Sequence, residues 1–237
     1  MASEYLKKKY QDVRPEAKRE LTPGEKRKNW WHYYKWHVVV GAGLLAILGS
    51  IAWNALHRVE PDYQVAYVGA NALPDDTAAA VEASFAALGE DLNGDGAVAV
   101  HLVQYISPGE TDAQAAMAAG VKLMADLTEC ESYFFLLEDP DGFQRNYGIL
   151  RRLDGSLPAE DDSAGGTYLA WTQCPVLAQM DLGKYSYTIT GETVEGSSSE
   201  LVSGLYLARR GFWTEKSAPY PEGCETLWNK LTEGAAS

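Results

Sequence analysis

Apolar and polar positions follow two different rhythms along this chain. From Val38 to Leu56 it reads VVVGAGLLAILGSIAWNAL, with no charged residue and only Ser50 and Asn54 polar. A helix of about 20 apolar residues matches the ~30 Å hydrocarbon core of a bilayer. Residues 37–57 are therefore expected to form a transmembrane helix. Trp30, Trp31, Tyr33, Tyr34 and Trp36 stand before it and Trp53 near its end, as an interfacial aromatic belt would. Thr22-Pro23-Gly24-Glu25 has the form of a capping box with Pro at the first helical position, so the helix should begin there and run into the span. Ala42, Ala46 and Ser50 recur every four residues and lead to Asn54, which suits either a lone anchor or a helix–helix contact.

Beyond His57 the rhythm becomes that of an α/β domain. Tyr63–Gly69 reads as a strand, and a helix capped by Asp75 or Asp76 buries Val81, Phe85 and Leu88. Residues 98–106 read as an apolar, central parallel strand. Thr111 and Gln114 form a second capping box, before a helix whose inner face is expected to be Met117, Val121, Met124 and Leu127. Residues 132–138 (SYFFLLE) read as a third strand, and Asp139-Pro140 opens a helix carrying Phe143, Tyr147 and Leu150. Three β-α units in succession predict a parallel sheet with helices on both faces.

In the second half, residues 154–166 read as an exposed loop and 168–172 as a strand. Residues 184–190 alternate strictly and suggest an antiparallel strand near an edge. Residues 201–209 look like a core strand, and a last helix over 221–231 shows Cys224, Leu227, Trp228 and Leu231 on one side. The expected class is thus α/β: an N-terminal transmembrane helix, then a three-layer domain with a mainly parallel sheet and one or two antiparallel strands. The domains are 1–36, a basic tail and juxtamembrane helix; 37–57, the span; and 58–237, an acidic extracytoplasmic domain.

Charge supplies the orientation. The 237 residues include 33 Asp and Glu against 20 Lys and Arg, a net charge of -13. Residues 1–36 hold ten basic and five acidic residues, leaving ten basic against 28 acidic beyond. The positive-inside rule puts the basic N-terminus in the cytoplasm and the domain outside the cell membrane, single-pass. The stretch before the span is long for a signal peptide and no small-x-small cleavage site closes it, which favours an uncleaved signal anchor. The tail should sit near anionic headgroups. An acidic body repels phosphates, so nucleic acid is not expected as a partner.

GVKLMADLTECESYFFLLED, residues 120–139, joins a helix ending in LMADL to an aromatic-rich strand closing on Glu-Asp. With the β-α-β start over 63–106, the later GLYLARRG strand and the terminal LWNKL helix, it resembles the first lobe of extracytoplasmic solute-binding proteins. The resemblance implies a reduced, membrane-anchored lobe of the kind expected in Gram-positive bacteria. Two complete lobes would need about twice this ectodomain.

Asp91-Leu92-Asn93-Gly94-Asp95-Gly96 matches the first half of an EF-hand loop, with oxygen side chains at positions 1, 3 and 5 and Gly at 6. Position 12 is Leu102 where a bidentate Glu is expected. Asp91, Asn93 and Asp95 therefore form either a Ca2+ site completed from elsewhere or an Asn-Gly/Asp-Gly turn. Cys130, Cys174 and Cys224 make neither a zinc set nor a Cys-x-x-Cys pair. They suit burial, while spacing leaves one disulfide, such as Cys174–Cys224, open. His57 and His101, the Asp161-Asp162 and Glu138-Asp139 pairs, and Trp171, Trp213 and Trp228 carry no motif. Trp228 is expected in the core.

No Gly-x-Ser-x-Gly, P-loop, dinucleotide fingerprint or His-Glu-x-x-His is present. The favoured reading is a non-enzymatic binding or docking module for a small-molecule ligand or a membrane-protein partner. The alternative is a cell-envelope hydrolase acting through carboxylates. In a parallel sheet the ligand belongs in the loops after the strands, which makes Asn71, Ser107 and Asp139 the candidate contacts. Three helix N-termini there would favour an anionic group.

Overall fold

A computed structural model describes residues 22–56, 60–107, 112–158, 165–189, 192–211 and 216–235. The chain divides into two compact units, 1–58 and 59–237.

The described residues of the first unit form one helix, α1 (Pro23–Leu56), of 34 residues. At 1.5 Å per residue this is about 51 Å, more than a bilayer core requires. The expected capping box closes its start. The Thr22 backbone N–H donates to Glu25 Oε2 at 2.9 Å, and the Glu25 N–H donates to Thr22 Oγ1 at 3.4 Å. The Thr22 backbone N–H, and then its hydroxyl, both donating to Oε2, hold the Glu25 carboxyl below its ordinary range. Trp30, Trp31, Tyr33, Trp36 and the apolar residues from Val38 to Ile51 are exposed around the whole circumference. By length and composition this helix can cross a membrane. Ser50 returns its hydroxyl to the Ile47 carbonyl at 2.8 Å, so this polar group is satisfied within the helix.

In the second unit the strands are β1 (Tyr63–Gly69), β2 (Val100–Ile106), β3 (Phe134–Leu137), β4 (Tyr168–Ala170) and β7 (Tyr206–Arg209), with a separate hairpin of β5 (Lys184–Ile189) and β6 (Glu192–Ser197). The sheet order is β2-β1-β3-β7-β4. β1 pairs in parallel with both β2 and β3, while β7 runs antiparallel to β3 and β4. Only β7 opposes the common direction. The helices are α2 (Asp75–Leu88), α3 (Ala113–Glu129), α4 (Pro140–Tyr147), α5 (Pro175–Ala178), α6 (Ser198–Val202) and α7 (Pro221–Leu231).

The steps β1-α2-β2 and β2-α3-β3 move in opposite directions along the sheet. Crossovers of one hand then place their helices on opposite faces. The two apolar clusters follow this rule. One joins Tyr63, Val65, Tyr67, Phe134, Leu136 and Leu207 to Val81 and Phe85 of α2 and to Leu227, Trp228 and Leu231 of α7. The other joins Ala66, Phe135, Leu137 and Ala208 to Leu123 and Leu127 of α3 and Phe143 of α4. Alternate strand residues thus feed alternate faces, and a side chain as buried as Phe85 contributes about 1.5–3 kcal/mol.

Several expectations are corrected. α2 has Pro74 at its N-cap and no side-chain cap; Asp76 instead accepts the Ser186 N–H at 3.1 Å. The cap of α3 is Asp112, which accepts from Ala115, and Thr111 lies outside the described residues. On α3 the buried residues are Leu123, Asp126 and Leu127, whereas Met117, Val121 and Met124 face outward. Residues 201–209 divide between α6 and β7 because the chain must turn after Val202 before re-entering the sheet. β5 leaves the main sheet and pairs with β6, a strand whose polar sequence ETVEGS carries no apolar alternation.

A candidate binding edge at the β1–β3 switch point

The order β2-β1-β3 makes the chain step to one side of β1 and then to the other. In open α/β sheets the crevice outside such a switch point is where ligands bind. The register places Gly69 beside Ile106 and Val68 beside Leu137. Asn71, Ser107 and Asp139 therefore leave the sheet on one edge, and all three are exposed. Ser107 is tied there by its N–H, which donates to the Gly69 carbonyl at 2.9 Å.

The centre of this edge is Glu138. Its Oε2 accepts the Ala70 backbone N–H at 2.8 Å, and its Oε1 lies 2.7 Å from the Tyr67 hydroxyl. That hydroxyl is also 2.8 Å from the Asn71 carbonyl oxygen. Burial, and then the hydrogen bond to Glu138, push the Tyr67 phenol well above its ordinary value. Such a phenol stays neutral and serves as a donor. Gly69 makes the approach feasible: a Cβ there would meet the Tyr67 hydroxyl and would lie 2.6 Å from Glu138 Oε1. Gln104 of β2 brackets Leu73, accepting its N–H at 2.8 Å and donating to its carbonyl at 3.3 Å.

The chain's own carboxylates serve the amides at this edge. Asp139 accepts the Gly142 N–H of α4 at 2.9 Å, Asp112 takes the Ala115 N–H of α3, and Asp75 and Asp76 occupy the first turn of α2. Asp141, also exposed, lies 3.3 Å from the Tyr168 hydroxyl. Some of the amides on which an anionic group would rely are thus already served by the chain's own carboxylates. Glu138, Asp139 and Asp141 form an acidic rim, which attracts cations and hydrogen-bond donors. Tyr67 and Glu138 did not stand out in the sequence, because strand alternation accounts for one and a solvated pair for the other.

At the opposite end of β1, Asp62 is a further residue that sequence reasoning missed. It is 2 % exposed, and its carboxylate accepts the N–H groups of Leu92 (2.7 Å), Asn93 (3.0 Å) and Ala99 (2.8 Å). This pins both ends of the 91–97 loop. Within that loop Asp91 accepts from Gly94 and Gly96, Asn93 Oδ1 from Asp95, and Asp95 Oδ1 from Ala97. Gly94 and Gly96 both have positive φ, which glycine adopts without steric cost. Asp91, Asn93 and Asp95 thus share one turn. Among the described residues, no three His, Cys, Asp or Glu side chains gather as metal ligands.

Two further polar clusters support the fold. Asp126, 2 % exposed, accepts from Tyr105 and Ser132 hydroxyls at 2.5 Å each, from the Ser132 N–H at 2.9 Å and from Gln64 at 3.2 Å. Glu225 of α7 pairs with Arg209 of β7 and accepts from Tyr133, with Arg151 3.6 Å away. Arg209 also lies 4.9 Å over the Trp228 ring.

The remaining candidates separate. Cys130, Cys174 and Cys224 are buried free thiols, so the Cys174–Cys224 disulfide is not formed. Burial pushes the Cys174 thiol up to about 11; burial and then Glu225 push that of Cys224 up to about 12. His101 is exposed on β2, 3.7 Å from Glu82. Trp171 is buried and stacks on Phe85, while Trp228 is in the core as expected. His57, Trp213 and Asp161-Asp162 lie outside the described residues.

No protein-family model, curated protein or solved structure matches the chain.

Proposed function

We propose that this chain is a single-pass membrane protein with its N-terminus in the cytoplasm, whose acidic α/β unit is a non-enzymatic docking module outside the cell membrane. The reading keeps the kinship with a solute-binding lobe as an analogy of architecture. Its carrying observation is the switch-point edge, where the chain leaves β1, β2 and β3 at Asn71, Ser107 and Asp139 and Glu138 accepts the Ala70 N–H. The ligand or partner suited to this rim presents a basic group, from a small molecule or from a loop of another membrane protein. Calcium at Asp91, Asn93 and Asp95, which the oxygen spacing of the loop would allow, has less support than a plain turn, because the loop's oxygens already accept its own amides. The hydrolase alternative has less support. Both Glu138 oxygens are already engaged, and Asp139 is committed to capping α4.

Two measurements test the reading on the full chain. In sealed, right-side-out vesicles, external protease should remove the acidic unit and spare the basic tail; a unit protected until lysis reverses the topology. In detergent, a hexalysine peptide should bind, and Glu138→Gln with Asp139→Asn should weaken it at least threefold. Equal binding by the double variant excludes this edge. Turnover of a cell-wall glycan that disappears on changing one Asp or Glu would establish the enzyme.

A further inference from the structure

The 91–97 turn holds a covalent reaction in check. Of the six asparagines in the chain, only Asn93 is followed by glycine. A glycine leaves the amide nitrogen after an asparagine unshielded, because it has no Cβ and admits the backbone angles that attack requires. Gly94 is exposed, and no atom lies within 4 Å of where its Cβ would be. Three bonds oppose the reaction. The Gly94 N–H donates to Asp91 Oδ1 at 2.6 Å. Asn93 Oδ1 accepts the Asp95 N–H at 2.8 Å, and Asn93 Nδ2 donates to the Glu60 carbonyl at 2.8 Å.

We propose that Asn93 is a site of intramolecular deamidation, and that Asp91 restrains it. The Gly94 nitrogen attacks Asn93 Cγ. A Cγ–N bond forms, the Cγ–Nδ2 bond breaks, and ammonia leaves with the proton of the Gly94 amide. Solvent water then opens the cyclic imide at either carbonyl, leaving aspartate or isoaspartate at position 93. Water is consumed and ammonia released, with no oxidant or reductant. The attacking nitrogen is the deprotonated amide, and an anion there is disfavoured by the carboxylate that already holds its proton. The bonds to Glu60 and Asp95 fix the side-chain amide in place, so the reaction waits for the loop to open. Asp62 makes that opening costly, because it accepts the N–H groups of Leu92, Asn93 and Ala99. Conversion removes the Nδ2 donor to Glu60 and adds a carboxylate between Asp91 and Asp95 in the chain. Like charges repel there, and the converted loop is held less firmly.

The test incubates the full chain in detergent and mildly alkaline buffer, with and without urea enough to unfold the α/β unit. Peptides spanning residue 93 are followed by mass and by isoaspartate content. Asn93 should convert at least tenfold more slowly without urea than with it. Asp91→Ala should convert at least threefold faster than the parent chain in buffer and at the parent's rate in urea, which assigns the difference to the folded turn. Gly94→Ala should convert at least tenfold more slowly than the parent in urea, where folding plays no part. Amide exchange over residues 92–99 should be faster in the converted chain than in the parent. Equal rates with and without urea, or no conversion in urea, overturn the proposal. An Asp91→Ala chain that converts no faster in buffer also overturns it, since the bond to the Gly94 N–H is then not the restraint.

Discussion

The Tyr67 hydroxyl stands 2.7 Å from Oε1 of Glu138, joining the middle of β1 to the exit of β3. Gly69 is the residue that this contact requires, since a methyl group there would occupy the space of both partners. Gly69→Ala should therefore destabilise the α/β unit by about 1–3 kcal/mol, as overpacking does. Glu138→Ala should recover part of that loss when combined with it. A double-mutant cycle on thermal or urea unfolding reads the coupling; strict additivity would mean that Glu138 does not fill the space above Gly69.

Asp62 should matter more to the 91–97 loop than the loop's own carboxylates. Asp62→Ala removes the acceptor of three backbone amides, and leaving buried donors unpaired costs about 1–3 kcal/mol. Amide exchange over residues 92–99 should accelerate in that variant. The same measurement on Asp91→Ala, whose bonds stay within the exposed turn, should show a smaller change.

Calcium can be decided on the same loop. A bound ion at 5 mM, about tenfold above a mid-range extracellular dissociation constant, would raise stability by roughly 1.4 kcal/mol. The turn satisfies its amides with its own oxygens, and melting is expected to be the same in calcium and in chelator. A calcium-dependent rise in Tm, abolished by Asp91→Ala with Asp95→Ala, would establish the ion at Asp91, Asn93 and Asp95.

Asp126 is expected to be the costliest single side chain to truncate among the polar groups. Asp126→Ala leaves Tyr105, Ser132 and Gln64 without their common acceptor. A loss of about 3 kcal/mol or more follows from several buried groups at once. Tyr105→Phe, which removes one donor and leaves the acceptor otherwise served, should cost about 1 kcal/mol.

Alkali should unfold this protein readily. The thiols of Cys174 and Cys224 are raised from the ordinary 9.0 to about 11 and about 12, and the phenols of Tyr67, Tyr105 and Tyr133 are raised from 10.0, in every case first by burial. These groups are neutral when protonated, so the unfolded chain loses its protons first as pH rises. Stability is then complete below about pH 8.5 and falls above it, by about 1.4 kcal/mol per pH unit for each group between its unfolded and folded values. Urea midpoints from pH 7 to pH 11 check the sign. A midpoint constant to pH 11 would mean that these groups are hydrated in the folded protein. Below pH 8, a thiol reagent should react with the native protein only as fast as it opens.

The long apolar helix and the first three β-α units could be read directly from the chain, because both depend on local periodicity. Nineteen uncharged residues after an aromatic cluster admit few alternatives, and alternating strands followed by Val81 and Phe85 at helical spacing leave one inward face. The Asp139-Pro140 start and the Leu227, Trp228 and Leu231 face were legible for the same reason. What tertiary structure alone decided concerns residues that are distant in sequence. Which face of α3 turns inward was settled by Asp126, a carboxylate that pattern reading assigns to solvent and that Tyr105, Ser132 and Gln64 make burial-competent. The departure of β5 from the main sheet depended on β6, whose polar residues pair through the backbone, where side-chain pattern is silent. The candidate edge was foreseeable as loops after parallel strands. Its charge was not, because only the contact of Glu138 with Tyr67 and Ala70 shows that the chain supplies its own anion there.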